Sequence, residues 1–173
     1  MIGKKRKAHS GGFTLIELGV ALSVFGMLAL ASVPAISRYI QDYRLDGASS
    51  NLIGDLRLCR HRAVAEANNY VLILNTSTET YSILDDDNNN GEEDDGENLI
   101  GPVDLPGGMD LRNGPWIPFP DDKITLRPDG TADATGIITI RNSRGRERLL
   151  YMVSSTGFAK KLWEYEGYYD AEQ

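Results

Sequence analysis

Residues 11–17 read Gly11-Gly12-Phe13-Thr14-Leu15-Ile16-Glu17, and they open the stretch FTLIELGVALSVFGMLALASV at 13–33. That stretch has 21 residues and one charge, Glu17. As a helix it spans roughly 31 Å at about 1.5 Å per residue, the thickness of a bilayer's hydrocarbon core. The flank before it is short and basic (Lys4, Lys5, Arg6 and Lys7, with no acid before Gly12). Basic flanks stay on the cytoplasmic side, so the remainder of the chain is expected across the membrane.

A cleaved secretory signal fits this stretch poorly. The apolar run is long for that purpose, and an ionisable residue sits near its start. Ala29, Ala31 and Ala35 are small residues, but the run continues through Pro34 into a patterned segment. From Ala35 to Ala67 the apolar positions are Ile36, Tyr39, Ile40, Tyr43, Ala48, Leu52, Leu56, Cys59, Ala63 and Ala67. Steps of three and four are helical spacing, so anchor and amphipathic segment read as one long helix, with Pro34 as a site for a kink. Glu17 is what a bland anchor leaves unexplained. A carboxylate in an apolar run costs several kcal/mol unless paired or protonated, so it marks either a partner or an interfacial, tolerated charge.

Beyond Asn68-Asn69 the pattern turns to strands. Tyr70–Leu74 and Thr80–Leu84 read as a hairpin. An acidic loop follows at 85–98, then a Gly/Pro-rich stretch from Gly101 to Asp122 with strand candidates at Met109–Arg112 and around Trp116. Lys123–Arg127, Ile137–Arg141, Glu147–Ser154 and Phe158–Trp163 are further strand candidates, with Pro128-Asp129-Gly130 as a turn. The expected architecture is α+β, a long N-terminal helix packed on an antiparallel β domain.

Composition excludes much. The net charge is -7, and -11 once the four basic leader residues are set aside, which counts against a surface made for nucleic acid. Cys59 is the only cysteine, so neither an intramolecular disulfide nor a Cys-based zinc site exists. On the helix stripe Cys59 reads as a small buried residue rather than a reactive thiol. Only His9 and His61 are present, and no nucleophile-elbow, zincin or P-loop motif occurs. No catalytic constellation is visible, so the chain is not read as an enzyme.

The 11–17 run, with its basic leader, glycine, Phe-Thr-Leu-Ile-Glu and apolar helix, resembles the processing signal of type IV pilins and type II secretion pseudopilins. Pro34 also falls where that family has a helix-kinking proline. Within the superfamily the chain resembles the GspH/FimT group. The residues that carry this are the Asp/Asn/Gly-rich loop ending in Gly96-Glu97, the run Ile124-Thr125-Leu126-Arg127-Pro128-Asp129-Gly130-Thr131, and the closing Gly145-Arg146…Val153-Ser154-Ser155-Thr156-Gly157. The resemblance implies a leader at 1–12, cut between Gly12 and Phe13 by a prepilin peptidase, and N-methylation of Phe13. It implies an assembly helix at 13–34 whose Glu17 pairs with a neighbouring subunit's amine, an amphipathic half at 35–67, a periplasmic β domain at 68–163 and an acidic tail at 164–173. A single-pass protein of the bacterial inner membrane follows, with its N-terminus cytoplasmic, built with other pseudopilins into a helical filament.

Two roles then compete: a minor pseudopilin at the initiating tip of a type II secretion pseudopilus, or a FimT-like minor pilin that touches DNA. Gly145-Arg146-Glu147-Arg148 resembles the DNA-contacting motif of FimT-like pilins, with Arg146 and Arg148 as the phosphate contacts; the alternative is a β-turn with exposed charges. The chain's acidity, and Gly157-Phe158-Ala159-Lys160 where the group often has Gly-Arg, favour the first role. The helical run 57–62 (RLCRHR) is locally basic, either a solvated face or a contact for a neighbour's acidic surface.

The acidic loop carries eight carboxylates between Asp85 and Glu97 and matches D-x-[DN]-x-[DN]-G-x5-E without a gap. Aligned that way, Asp86, Asn88, Asn90, Asp94 and Glu97 offer calcium-ligand oxygens, Glu92 its backbone carbonyl, and Gly91 the sharp turn. The competing reading is a solvated loop, since its flanks are strands rather than helices.

Overall fold

The computed structural model describes residues 12–114 and 116–162, without the side chains at 31, 32, 34 and 35. The leader up to residue 11 and the tail at 164–173 therefore lie outside the described residues. The chain divides into two compact units, Met1–Tyr39 and Ile40–Gln173.

The described residues of the first unit are Gly12-Phe13-Thr14 and the N-terminal part of α1, which spans Leu15–Glu66 and is helical through position 34. Every large apolar side chain described between Phe13 and Ile36 is at least half exposed, from Phe13 at 91% to Val24 at 52%. Such a surface requires an apolar environment or neighbouring subunits. Among the described residues no helix is long and apolar enough to cross a membrane; the apolar run described without interruption ends at Leu30.

The second unit holds the core. Along α1, Leu45, Ala48, Ser49, Leu52, Leu56, Cys59 and Ala63 are buried at helical spacing, while Gly47, Ser50, Gly54, Leu58 and His61 face outward. Ala67 ends the helix in the left-handed region (φ 56°), and the Asn68 N–H returns to the Ala63 carbonyl at 3.2 Å. This satisfies a carbonyl that the last turn would leave open.

Among the described residues, eight strands form two antiparallel four-stranded sheets. One has the order β3-β2-β1-β5, built from Asn98–Asp104, Thr80–Asp86, Asn69–Asn75 and Lys123–Leu126. The other has the order β4-β6-β7-β8, built from Met109–Asn113, Gly136–Asn142, Glu147–Val153 and Phe158–Leu162. The anticipated hairpin is present, with Leu72 opposite Ile83 and Asn75 opposite Thr80. Tyr70, Leu72, Ile124, Leu126, Leu111, Ile138, Ile140 and Leu150 share one core with Leu45, Leu52 and Leu56 of the helix. Each such fully buried aliphatic side chain stabilises the fold by about 1.5–3 kcal/mol. The Glu79 carboxylate, in the β1–β2 turn, accepts the Leu111 N–H of β4 and so ties one sheet to the other.

Two sequence readings are corrected. β3 lies within the region read as acidic loop and Gly/Pro-rich stretch. Among the described residues it is an edge strand paired only to β2, where a proline removes no needed donor. Gly101, at φ 122°, brings its backbone so close to Tyr81 and Ser82 that a Cβ there would lie 3.2 Å from them. Among the described residues, no strand forms around Trp116. Instead the Asn113 side chain takes both backbone groups of Phe119, accepting its N–H and donating to its carbonyl, each at 2.7 Å. These two bonds bring Phe119 back beside the end of β4.

Candidate functional site

Three of the sequence-derived sites lie within the described residues. At the N-terminus, Gly12 and Phe13 precede the helix, and Thr14 and Glu17 cap it reciprocally. Glu17 Oε2 accepts the Thr14 N–H at 3.1 Å and the Thr14 hydroxyl at 3.0 Å, while the Glu17 N–H donates to Thr14 Oγ1 at 3.2 Å. This is a capping box, in which two otherwise open N-terminal donors are satisfied. Glu17 thus has a partner within its own chain, one residue beyond Phe13. The T-x-x-E spacing before an apolar run is legible in the sequence, and reading Glu17 as the mark of a partner or as a tolerated interfacial charge leaves this local cap out.

The acidic loop is ordered by its own hydrogen bonds. Asp86, at the end of β2, is fully buried, and its Oδ1 and Oδ2 accept the N–H groups of Asn90 (3.0 Å) and Gly91 (2.9 Å). Gly91 has φ 76°, so the tight turn stands where the calcium pattern needs it. Asn88 and Asn90 each accept a backbone N–H on their side-chain oxygen, from Asn90 (2.9 Å) and Glu92 (2.7 Å). Both donate their amide nitrogens to Asp94 Oδ2, at 2.7 and 2.6 Å. These bonds hold the Asp94 carboxyl below its ordinary range. Glu97 closes the loop by accepting the N–H groups of Asn88 (3.4 Å) and Asp94 (3.1 Å). Lys123 Nζ donates to the Gly91 carbonyl at 2.7 Å. Among the described residues no three His, Cys, Asp or Glu side chains stand together as a metal-binding group. The arrangement places Asp86 and Glu97 at the two ends of one turn but directs the loop's oxygens to its own amides.

The basic run Gly145-Arg146-Glu147-Arg148 lies at the β6–β7 turn and the start of β7, packed against the helix. Arg146 Nη1 donates to Asp42 Oδ2 at 3.1 Å, and Arg144 Nη1 lies 3.6 Å from the same oxygen. Arg148 Nε donates to Asp46 Oδ1 at 2.8 Å with its side chain only 10% exposed, and Lys161 Nζ reaches the same oxygen at 2.6 Å. Arg141 lies 3.7 Å from Glu147. Sequence alone shows four clustered arginines; the fold shows that α1 carboxylates meet three of them. A phosphate reaching Arg148 would have to displace Asp46.

Cys59 is buried in the core cluster. Burial, assisted by the nearby Asp55 charge, pushes its thiol up to about 12. Asp55 also accepts the Tyr81 hydroxyl, and Glu66 the Tyr70 hydroxyl at 2.6 Å, so two α1 carboxylates lock the helix to β2 and β1.

A long N-terminal helix with an exposed apolar first half, whose second half forms one core with antiparallel sheets, is the architecture of a pilin-like subunit. Residues 48–157 match the family described as Type II transport protein GspH, and the chain belongs to that family. The fold is shared with the minor pseudopilin EpsH from the type II secretion system of Vibrio cholerae. One EpsH structure matches at TM-score 0.54 and 14% identity, covering 75% of this chain and 99% of EpsH. Another matches at TM-score 0.53 and 13% identity, covering 69% and 96%. The fold is equally that of the type IV minor pilin FimU of Pseudomonas aeruginosa, at TM-score 0.57 and 14% identity, covering 75% and 98%. No curated protein sequence matches the chain.

Proposed function

We propose that the chain is a minor pseudopilin, a non-enzymatic structural subunit at the initiating tip of a type II secretion pseudopilus. One observation carries the reading: an apolar helix opened by Gly12-Phe13-Thr14-Leu15-Ile16-Glu17, all its large described side chains exposed, is continuous with the helix that anchors a GspH-family domain. On this reading residues 13–34 hold the subunit in the bacterial inner membrane, with the leader cytoplasmic and the domain periplasmic. A prepilin peptidase cuts after Gly12, and Phe13 becomes the methylated terminus. Glu17 exchanges its Thr14 cap for the amine of a neighbouring subunit, so that two desolvated charges offset each other.

Engagement of Arg144, Arg146 and Arg148 by Asp42 and Asp46 supports this role over that of a DNA-contacting FimT-like minor pilin. The test is intact-mass analysis of the membrane-extracted protein together with co-purification of its partners. A mature chain beginning at N-methyl-Phe13 is expected. Glu17→Val should preserve insertion and lower recovery of the other minor subunits. A different mature terminus, or full recovery of every partner, overturns the reading.

A further inference from the structure

β8 ends at Leu162, which pairs with Leu149 of β7, one residue short of Arg148. The antiparallel ladder therefore points the end of β8 toward Arg148 and toward the β6–β7 turn that carries Arg144 and Arg146. These three arginines and Lys161 of β8 meet α1 at two carboxylate oxygens. Asp42 Oδ2 takes Arg146 at 3.1 Å and Arg144 at 3.6 Å, and Asp46 Oδ1 takes Arg148 at 2.8 Å and Lys161 at 2.6 Å. The other Asp42 oxygen accepts the Asn142 amide at 3.2 Å. The six charged groups carry two positive charges in surplus, on a chain whose net charge is -7. The side chains of Arg144, Arg146 and Lys161 are 36%, 42% and 33% exposed, so a further acid can reach them.

The sequence that follows β8 has the complementary chemistry. Residues 163–173 read WEYEGYYDAEQ, with acids at Glu164, Glu166, Asp170 and Glu172 and no basic residue. Arg146 lies three residues beyond Leu149 along the chain of β7, roughly 10 Å, and Glu166 lies four residues beyond Leu162, a reach of up to about 14 Å. Acids tethered this closely act at an effective concentration on the order of millimolar, so individually weak ion pairs suffice. Trp163 and Tyr165 add ring faces for the guanidinium groups. The fold already uses that contact twice, with Arg57 over the Phe158 ring at 5.4 Å and Lys160 over the Tyr151 ring at 5.9 Å. An outside polyanion would have to displace tethered acids and approach a chain of like charge.

We propose that Arg144, Arg146, Arg148 and Lys161 are the docking surface for the chain's own acidic tail, with Glu164 and Glu166 as the entering carboxylates. The tail then closes the cluster to phosphate backbones and to other acidic surfaces. It also fastens β8, an edge strand among the described residues, to the helix turn that carries Asp42 and Asp46. The contact lies within one subunit and depends on no position in a filament.

The test uses the full-length chain in detergent, with Ser143→Cys and Gly167→Cys in one molecule. Ser143 is exposed beside Arg144, neither substitution removes a charge, and the buried Cys59 is a silent background thiol. Mild oxidation at low salt should join the two positions by an intramolecular disulfide, read by peptide mass analysis. Its rate of formation should fall roughly fivefold near 1 M salt, where the screening length drops from about 10 Å at 0.1 M to about 3 Å. Glu164→Gln with Glu166→Gln should slow it by a similar factor at low salt. Arg146→Gln should do the same, and Arg146→Lys, which keeps the charge, should restore most of the rate. A rate indifferent to salt and to these substitutions overturns the proposal. A disulfide that links two chains rather than one also overturns it, by seating the tail on a second copy. So does labelled duplex DNA that binds the wild-type chain at low salt and not Arg146→Gln, since the cluster would then serve an outside polyanion.

Discussion

Asp46 on α1 and Arg148 on β7 stand 102 residues apart in sequence and 2.8 Å apart in the fold, Arg148 Nε donating to Asp46 Oδ1. Lys161 of β8 reaches the same oxygen, so one helix carboxylate ties down two neighbouring strands. Asp46→Asn keeps the shape and takes one carboxylate charge away from the nearly buried guanidinium. Loss of one partner of a well-buried pair can cost several kcal/mol. Because the Asp46 side chain is 47% exposed, water screens the pair, and the expected loss is roughly 1–2 kcal/mol. A lower urea midpoint with an unchanged slope would show it; an unchanged midpoint would mean that the pair contributes nothing.

The same pair sets an acid limit. The Arg148 hydrogen bond, opposed by desolvation and reinforced by Lys161, holds the Asp46 carboxyl below its ordinary value near 3.8. Asp129 is lowered by the Thr131 side chain and backbone, and Asp94 by the Asn88 and Asn90 amides. A carboxyl depressed in the folded state stabilises fully above its unfolded value, and that stability is lost as pH falls through the folded value. Urea unfolding at a series of pH values should therefore show a plateau near neutrality and a decline below about pH 4. Asp46→Asn should make the decline shallower. An identical acid slope in the variant would dissociate Asp46 from it.

Cys59 should be silent in the native chain. Its thiol is 1% exposed and pushed up to about 12, so at pH 8 it is neither ionised nor accessible. Thiol titration should give essentially no reaction in buffer and one equivalent in denaturant. Rapid native labelling would show that the helix–sheet interface opens readily.

Asp86 gives the loop prediction. Its buried carboxylate accepts two backbone N–H groups, so Asp86→Ala should lower the melting temperature in the absence of any metal. We propose in addition that Asp86, Asn88, Asn90, Asp94 and Glu97, with the Glu92 carbonyl, take calcium weakly, at roughly 10⁻⁴ to 10⁻³ M. Calcium should then raise the melting temperature of the wild-type chain and not that of Asp86→Ala or Glu97→Ala. No rise at several millimolar calcium would leave the loop as a hydrogen-bonded turn alone.

Much of this molecule was legible along the chain. Steps of three and four place Leu52, Leu56, Cys59 and Ala63 on one helix face, and alternation with turn residues marks the β1–β2 hairpin and β5 to β8. Capping and turn preferences belong to short segments too, so the Thr14–Glu17 cap and the Asp129-Gly130 turn need nothing beyond neighbouring residues. β3 escaped notice because Gly101 and Pro102 signal a loop, and only the waiting edge of β2 makes them a strand. The arginines show the limit most clearly. In sequence Arg57, Arg62, Arg146 and Arg148 are all exposed-looking cations in basic runs. Tertiary structure alone brings β7 against the turn of α1 that carries Asp42 and Asp46, so that Arg146 and Arg148 meet helix carboxylates, while Arg57 lies instead over the Phe158 ring. Secondary structure follows from preferences within a few residues. The partner of a charge depends on which distant element the sheet register and the rotation of the helix bring within hydrogen-bonding distance.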